Sequence, residues 1–182
     1  IDVECSEQID RFGLIFHAAE LQRQPTEANL ARTDLESILR SLAPGWREQL
    51  KRREISLSLD LDRGLPTVMS DSHRLEAMLG GLIDRSSRGL PGGSELQLGL
   101  QAAGARVKLQ LHVVLPGSAT SSVNASPARE ELGTVLSWDP TTGSLQLSQD
   151  ATRQMMASLG GRYQPRRDRD LTVFFPVHSD AD

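Results

Sequence analysis

The feature that most constrains this chain is a change of hydrophobic period at Ile55. From Ile55 to Leu61 every second residue is Ile or Leu, with Ser56, Ser58 and Asp60 between them. Such alternation puts the apolar side chains on one side of an extended strand, which must be covered from that side alone. Leu96, Leu98 and Leu100 alternate in the same way. Gly104 marks a hairpin turn, and Val107, Leu109, Leu111 and Val113 alternate again. Between these strands, Leu75, Met78, Leu79, Leu82 and Ile83 recur at helical spacing within a segment from about Ser70 to Arg88. One-sided strands and a one-sided helix can each bury their apolar face only on the other.

The flanking segments extend the pattern. Thr33 and Glu36 read as a capping box opening a helix with the stripe Leu35, Ile38, Leu39 and Leu42. Pro44 and Gly45 are expected to break or kink it before Trp46 and Leu50 resume the stripe. Pro116 to Pro127 is polar and rich in Ser, Ala and Thr, and reads as a loop. A helix from Gln149 to Leu159 should stop at Gly160 and Gly161, with two strands closing the chain near 162–165 and 171–177. Upstream, Cys5, Ile9, Phe12, Phe16 and Ala19 form an a/d seam on a helix from Glu4 to Gln24, which Pro25 ends before a linker to Arg32. That seam serves equally for packing on the same domain or on a second copy. The expected fold is a two-layer α+β sandwich, its mixed, mostly antiparallel sheet carrying helices on one face. Residues 1–32 form a helix and linker, and 33–182 the domain proper.

Charge and cysteine content narrow the function. Twenty Lys and Arg against twenty-four Asp and Glu leave a net charge of −4. That balance argues against a nucleic-acid binder, which draws much of its affinity from neutralising phosphates. Cys5 is the single cysteine, so neither an internal disulfide nor a Cys-based zinc site is available. Apolar runs are far shorter than the ~20 residues that span a bilayer. The chain opens on Ile1 and is expected to be a piece of a longer cytoplasmic protein.

The element order and four stretches resemble the C-terminal half of a sensor histidine kinase. The resemblance runs from the last dimerisation helix through the ATPase domain of the gyrase, heat-shock chaperone, histidine kinase and MutL superfamily. Thr33 to Leu39 resembles the entry to that domain, and Arg53 to Asp71 its first strand and the lead into the next helix. Asp71 to Ser87 matches the frame of the N box, and Leu147 to Val177 the last helix, its Gly-Gly stop and the closing hairpin. The resemblance implies a two-layer ATPase fold, protein-histidine kinase activity, ATP with Mg²⁺, dimerisation through the N-terminal helix and signalling partners.

At the nucleotide positions the chain departs from the family. Aligned on Arg74-Leu75-Glu76, the two N-box asparagines become Gly81 and Arg85, the latter at the Mg²⁺ position. A guanidinium offers no lone pair and cannot ligate a cation. Aligned on Pro116-Gly117, the adenine-reading aspartate becomes Val113 and the first glycine of its box Leu115, while Gly117 is kept. The last glycine-rich box falls on Ser144, Gln146 and Ser148, whose side chains crowd the phosphate path. Metal, adenine and phosphate contacts are lost at three separate places. The expectation is a histidine-kinase-like signalling module with no cofactor and no catalytic residue. Its rivals are an active kinase using ATP and Mg²⁺, and a partner-switching module like the anti-sigma kinases.

Other residues read as structural. Ala18 follows His17 where a phosphoacceptor box needs an acid, and His73, His112 and His178 lie on separate elements without ligand spacing. Arg162, Arg166, Arg167 and Arg169 alternate with Asp168 and Asp170, as a solvated turn does. Met155 and Met156 belong to the core, and Asp60 and Asp62 have no partner acid. Arg85 carries two readings. It fills or pairs across a dead pocket, with Asp84 for instance, or it grips an anion where the metal would sit.

Overall fold

A computed structural model describes residues 29–117, 130–132, 136–139, 144–165 and 170–178. The expected helix from Glu4 to Gln24, with Cys5 and His17, lies outside the described residues, as does most of the expected loop from Pro116 to Pro127. So do Arg166, Arg167, Asp168 and Arg169.

The described elements, in order, are β1 (Ala31–Thr33), α1 (Leu35–Lys51), β2 (Ser56–Leu61), β3 (Val68–Ser70), α2 (Ser72–Ser87), β4 (Glu95–Ala102) and β5 (Arg106–Val114). They continue as β6 (Glu130–Leu132), β7 (Leu136–Asp139), β8 (Ser144–Leu147), α3 (Gln149–Ser158), β9 (Arg162–Pro165) and β10 (Leu171–Pro176). The main sheet runs β2-β4-β5-β10-β9. Only β2 and β4 are parallel in it, because α2 and its flanking turns carry the chain between them as a crossover.

The alternation works as read. Leu57, Leu96, Leu98, Leu100, Val107, Leu109, Leu111, Leu171, Val173 and Phe175 are buried on one face of the sheet. Leu35, Leu39, Trp46 and Leu50 of α1, the α2 stripe, and Met156 with Leu159 at α3 close over them in one cluster. Each such fully buried side chain is worth about 1.5–3 kcal/mol over its exposed state. The opposite face shows Gln97, Gln101, Lys108, Gln110 and His112, so the described helices lie on one side.

Three expectations need correction. The capping residue of α1 is Asp34, whose carboxylate accepts from Ser37 N at 3.0 Å, and not Thr33. Thr33 instead ends β1, which pairs antiparallel with β3, and its hydroxyl donates to the Ser70 carbonyl at 3.0 Å. Glu36, the other half of the expected box, accepts from Arg40 and from Gly64 N. Secondly, α1 runs unbroken through Pro44. The carbonyl that loses its partner belongs to Arg40, and both residues are on the exposed side, where water can take the bond. Thirdly, the region before α3 holds an antiparallel three-stranded sheet, β6-β7-β8, where the sequence reading assigns no strands.

The glycine stop of α3 forms as expected. Gly160 takes φ +78°, and its N–H and that of Gly161 bond back to Ala157 and Met156 at 3.0 and 2.8 Å. Ser70 Oγ donates to the Leu159 carbonyl at 2.8 Å, tying β3 to this helix end.

Candidate functional site

Several of the positions singled out from the sequence lie toward one end of the main sheet. The turn after α2 leads directly into β4, whose first residue Glu95 pairs with Val114 at the end of β5. Gly93, in that turn at φ +83°, has space for a Cβ 3.6 Å from Pro116. The turn after α2 and the segment Val113 to Gly117 are thus neighbours. Leu171, the first residue of β10, pairs with Leu111 and with Pro165, which sets β10's start and β9's end here as well. A three-residue turn joins α3 to β9, against which it packs, so the start of α3 points back toward this end.

On α2, Gly81 and Arg85 are one turn apart, on the flank away from Gly80, which approaches Trp46 of α1. Arg85 folds back along the helix. A Cβ placed on Gly81 would lie 3.0 Å from Arg85 Nη1, so the guanidinium fills the space that a side chain at 81 would take. Burial lowers the pKa of Arg85, with the nearby charge of Asp84 opposing the shift.

Asp84 does not bond to Arg85. Its Oδ1 accepts from Gln49 Nε2 at 2.9 Å and Arg53 Nη2 at 3.0 Å, and its Oδ2 from Nε and Nη2 of Arg88. Its backbone carbonyl accepts from Arg53 and from Ser87 Oγ. Four donors on two carboxylate oxygens exhaust the acceptor sites. This cluster clamps the C-terminal end of α1 to α2 and leaves the side chain of Arg85 without a hydrogen bond or ion pair among the described residues. The Asp84–Arg88 pair has a sequence signal in its i, i+4 spacing, whereas Gln49 and Arg53 come from another element.

Val113, half-buried, packs against the core, and its N–H donates to Asp170 Oδ1 at 3.3 Å. The same oxygen lies 2.6 Å from His112 Nδ1, a contact that residues 58 apart give no local sign of. Leu115 is exposed, and Gly117 needs its glycine for φ +79°. Ser144 and Gln146 sit in β8, paired with Asp139 and Ser137 of β7. Ser148 is the N-cap of α3, its hydroxyl accepting from Ala151 N at 3.0 Å. The structure therefore brings Gly81 and Arg85 into contact, places Val113, Leu115 and Gly117 along one segment, and leaves Ser144 and Gln146 in strand pairing.

Among the described residues no three His, Cys, Asp or Glu side chains converge as a metal-holding group. The α2 positions do not fit a magnesium ion, since a protonated guanidinium repels it and offers no oxygen. No described helix is long and apolar enough to cross a membrane.

No protein-family model matches the chain. It is 36% identical over 181 residues to the sensor histidine kinase Hik34 of Synechocystis sp. (strain ATCC 27184 / PCC 6803 / Kazusa), covering 96% of this chain and 38% of that protein. It thus spans well under half the length of this relative. Full-length ShkA in complex with AMPPNP superposes with a TM-score of 0.66 at 20% identity, over 97% of this chain and 38% of that one. The histidine kinase ThkA in complex with the response regulator protein TrrA gives 0.66 at 12% identity, over 97% and 49%. Element order and sheet topology give the chain the ATPase fold of these solved histidine kinases, and its sequence is similar to part of a sensor histidine kinase.

Proposed function

We propose that this domain serves a two-component sensor as a signalling module that keeps the ATPase fold without handling Mg²⁺ and nucleotide in the family's manner. The observation that carries this is Arg85, a cation at the α2 position where the family alignment puts the metal-binding asparagine. Two others support it. Val113 offers an apolar side chain where the adenine amino group needs an acceptor, a loss of about 1–3 kcal/mol for a buried donor. Ser144 and Gln146 are held in the β8 ladder, where the glycine-rich box of the family would let backbone approach phosphate.

On this reading the domain works by presenting surfaces. Residues 1–32 supply the end of the dimerisation helix and the linker, and the ATPase fold passes conformational change between that helix and a partner protein. ThkA is seen with a response regulator, and a regulator of that kind is the first partner to test. The cell interior is the expected setting. The test is phosphorylation of the full-length protein with γ-labelled ATP and Mg²⁺. The proposal predicts no acid-labile, base-stable phosphohistidine, and label above that of a histidine-free control would contradict it. The rival reading, an active kinase, draws on the 36% identity to a protein named as a sensor histidine kinase, and this assay decides between the two.

A further inference from the structure

The main sheet ends on β9, which pairs with β10 along one edge and with no strand along the other among the described residues. Such an edge offers backbone N–H and C=O groups to an extended chain laid beside it. A groove of about 570 Å³ crosses this edge, lined in part by Arg153 and Ala157 of α3, Arg162 and Tyr163 of β9, Phe174 of β10 and Arg106 of β5. It spans both sides of the strand. Arg162 pairs with Phe174, which faces away from the core because Val173 and Phe175 on either side of it are buried. Arg106 pairs with Pro176, two residues on, and so shares that outer face. Tyr163, the next residue of β9, packs against the core on the side of α3. An added strand suits a groove of this shape, since its side chains alternate between the two faces, whereas a compact ligand would occupy one.

The charges select the strand. Three arginines line the groove and no Asp or Glu does, in a chain whose net charge is −4. The exposed side chains of Arg106 and Arg162 make no hydrogen bond or ion pair among the described residues. Arg153 holds Asp150 in an exposed pair, a type of contact worth little and readily exchanged. Guanidinium groups take carboxylates in a two-bond fork. A second copy of β9 would bring Arg162 against the same cations, so like charge opposes self-pairing.

We propose that β9 takes up an extended acidic segment of a partner protein as a further strand of the main sheet. Its carboxylates face Arg162 and Arg106 on the outer side, and the apolar residues between them face Tyr163 and Ala157. The groove lies toward Arg106, the first residue of β5, while Val113 lies near the other end of that strand, so this site goes beyond the proposed function and stands whether or not nucleotide binds.

The test is fluorescence anisotropy of the chain with a labelled peptide of about eight residues that alternates Glu with Val. Saturable binding is expected, weakening as salt is raised and falling about tenfold in Arg106→Glu combined with Arg162→Glu. A peptide alternating Lys with Val should be ignored by the wild type and bound by that double variant, which also shows that the variant is folded. Amide hydrogen exchange in β9 should slow when the Glu peptide binds to the wild type. Silence up to about 1 mM Glu peptide overturns the proposal. So does binding that leaves β9 exchange unchanged or is indifferent to the charge reversal. Free glutamate binding as tightly as the peptide would assign the groove to a small anion instead. Sedimentation showing a dimer of the wild type that the double variant loses would assign the edge to a second copy, and would equally overturn it.

Discussion

Gly160→Ala puts the packing account under a quantitative test. Gly160 follows the last turn of α3 at φ +78°, where an L side chain costs about 1–2 kcal/mol. Its new Cβ would stand 2.6 Å from the carbonyl oxygen of Met69 in β3. That atom is backbone, fixed in the β1–β3 pair, so relief requires a shift of α3 against β3 and costs about 1–3 kcal/mol, as overpacking does. Loss of glycine's freedom in the unfolded chain returns about 0.4–1 kcal/mol. The expected net loss is about 3 kcal/mol, or roughly 6–12 °C in melting temperature for a domain of this size. Gly64→Ala is the matched control: φ is +67°, and nothing lies within 4 Å of the added Cβ. It should lose only about 1 kcal/mol. Urea titrations followed by circular dichroism give both values. If the two variants lose stability equally, the close approach of α3 to β3 is not what the glycine serves.

Other substitutions probe the α2 end. Arg85→Met removes a partly desolvated charge that has no bonding partner among the described residues, and should raise stability by about 1–2 kcal/mol in the same urea assay. Gly81→Ala places a Cβ 3.0 Å from the mobile end of Arg85 and gains helix propensity. A gain of about 0.5–1 kcal/mol is expected, with the guanidinium displaced, and a crystal structure with Arg85 unmoved would contradict the contact. Asp84→Asn weakens the clamp to Arg53 and Arg88, whose side chains are 35% and 27% exposed, so the loss should stay near 1–2 kcal/mol and shrink in high salt. A salt-independent loss would mean that the clamp acts through packing rather than charge.

How much could be read from the residues varies with the range of the interaction. The alternating leucines of β2, β4 and β5, the α2 stripe and the Gly160 stop are local patterns, and each appears within a few residues of its expected place. The capping residue is misassigned because Thr33 and Asp34 are both good caps. What separates them is the hydroxyl bond from Thr33 to Ser70, formed across 37 residues. Strands β1 and β3 are three residues each, too short to show a period, and exist through each other and through the Ser70 bond to Leu159. For β7 and β8 the signal is in the sequence: Leu136 and Trp138, then Leu145 and Leu147, alternate about a segment holding Pro140 and Gly143. At the candidate site, the identity of Arg85 shows that the metal position has changed. That Asp84 is saturated, and hence that Arg85 is left over, depends on Gln49 and Arg53 arriving from α1.

The central claim is that this ATPase fold does not take up nucleotide through magnesium. Calorimetric titration of the domain with ATP in Mg²⁺ and again in EDTA measures that directly. The account predicts that Mg²⁺ adds nothing to affinity. ATP binding that strengthens tenfold or more with Mg²⁺ would contradict it, and would mean that a working metal site exists in spite of the arginine on α2.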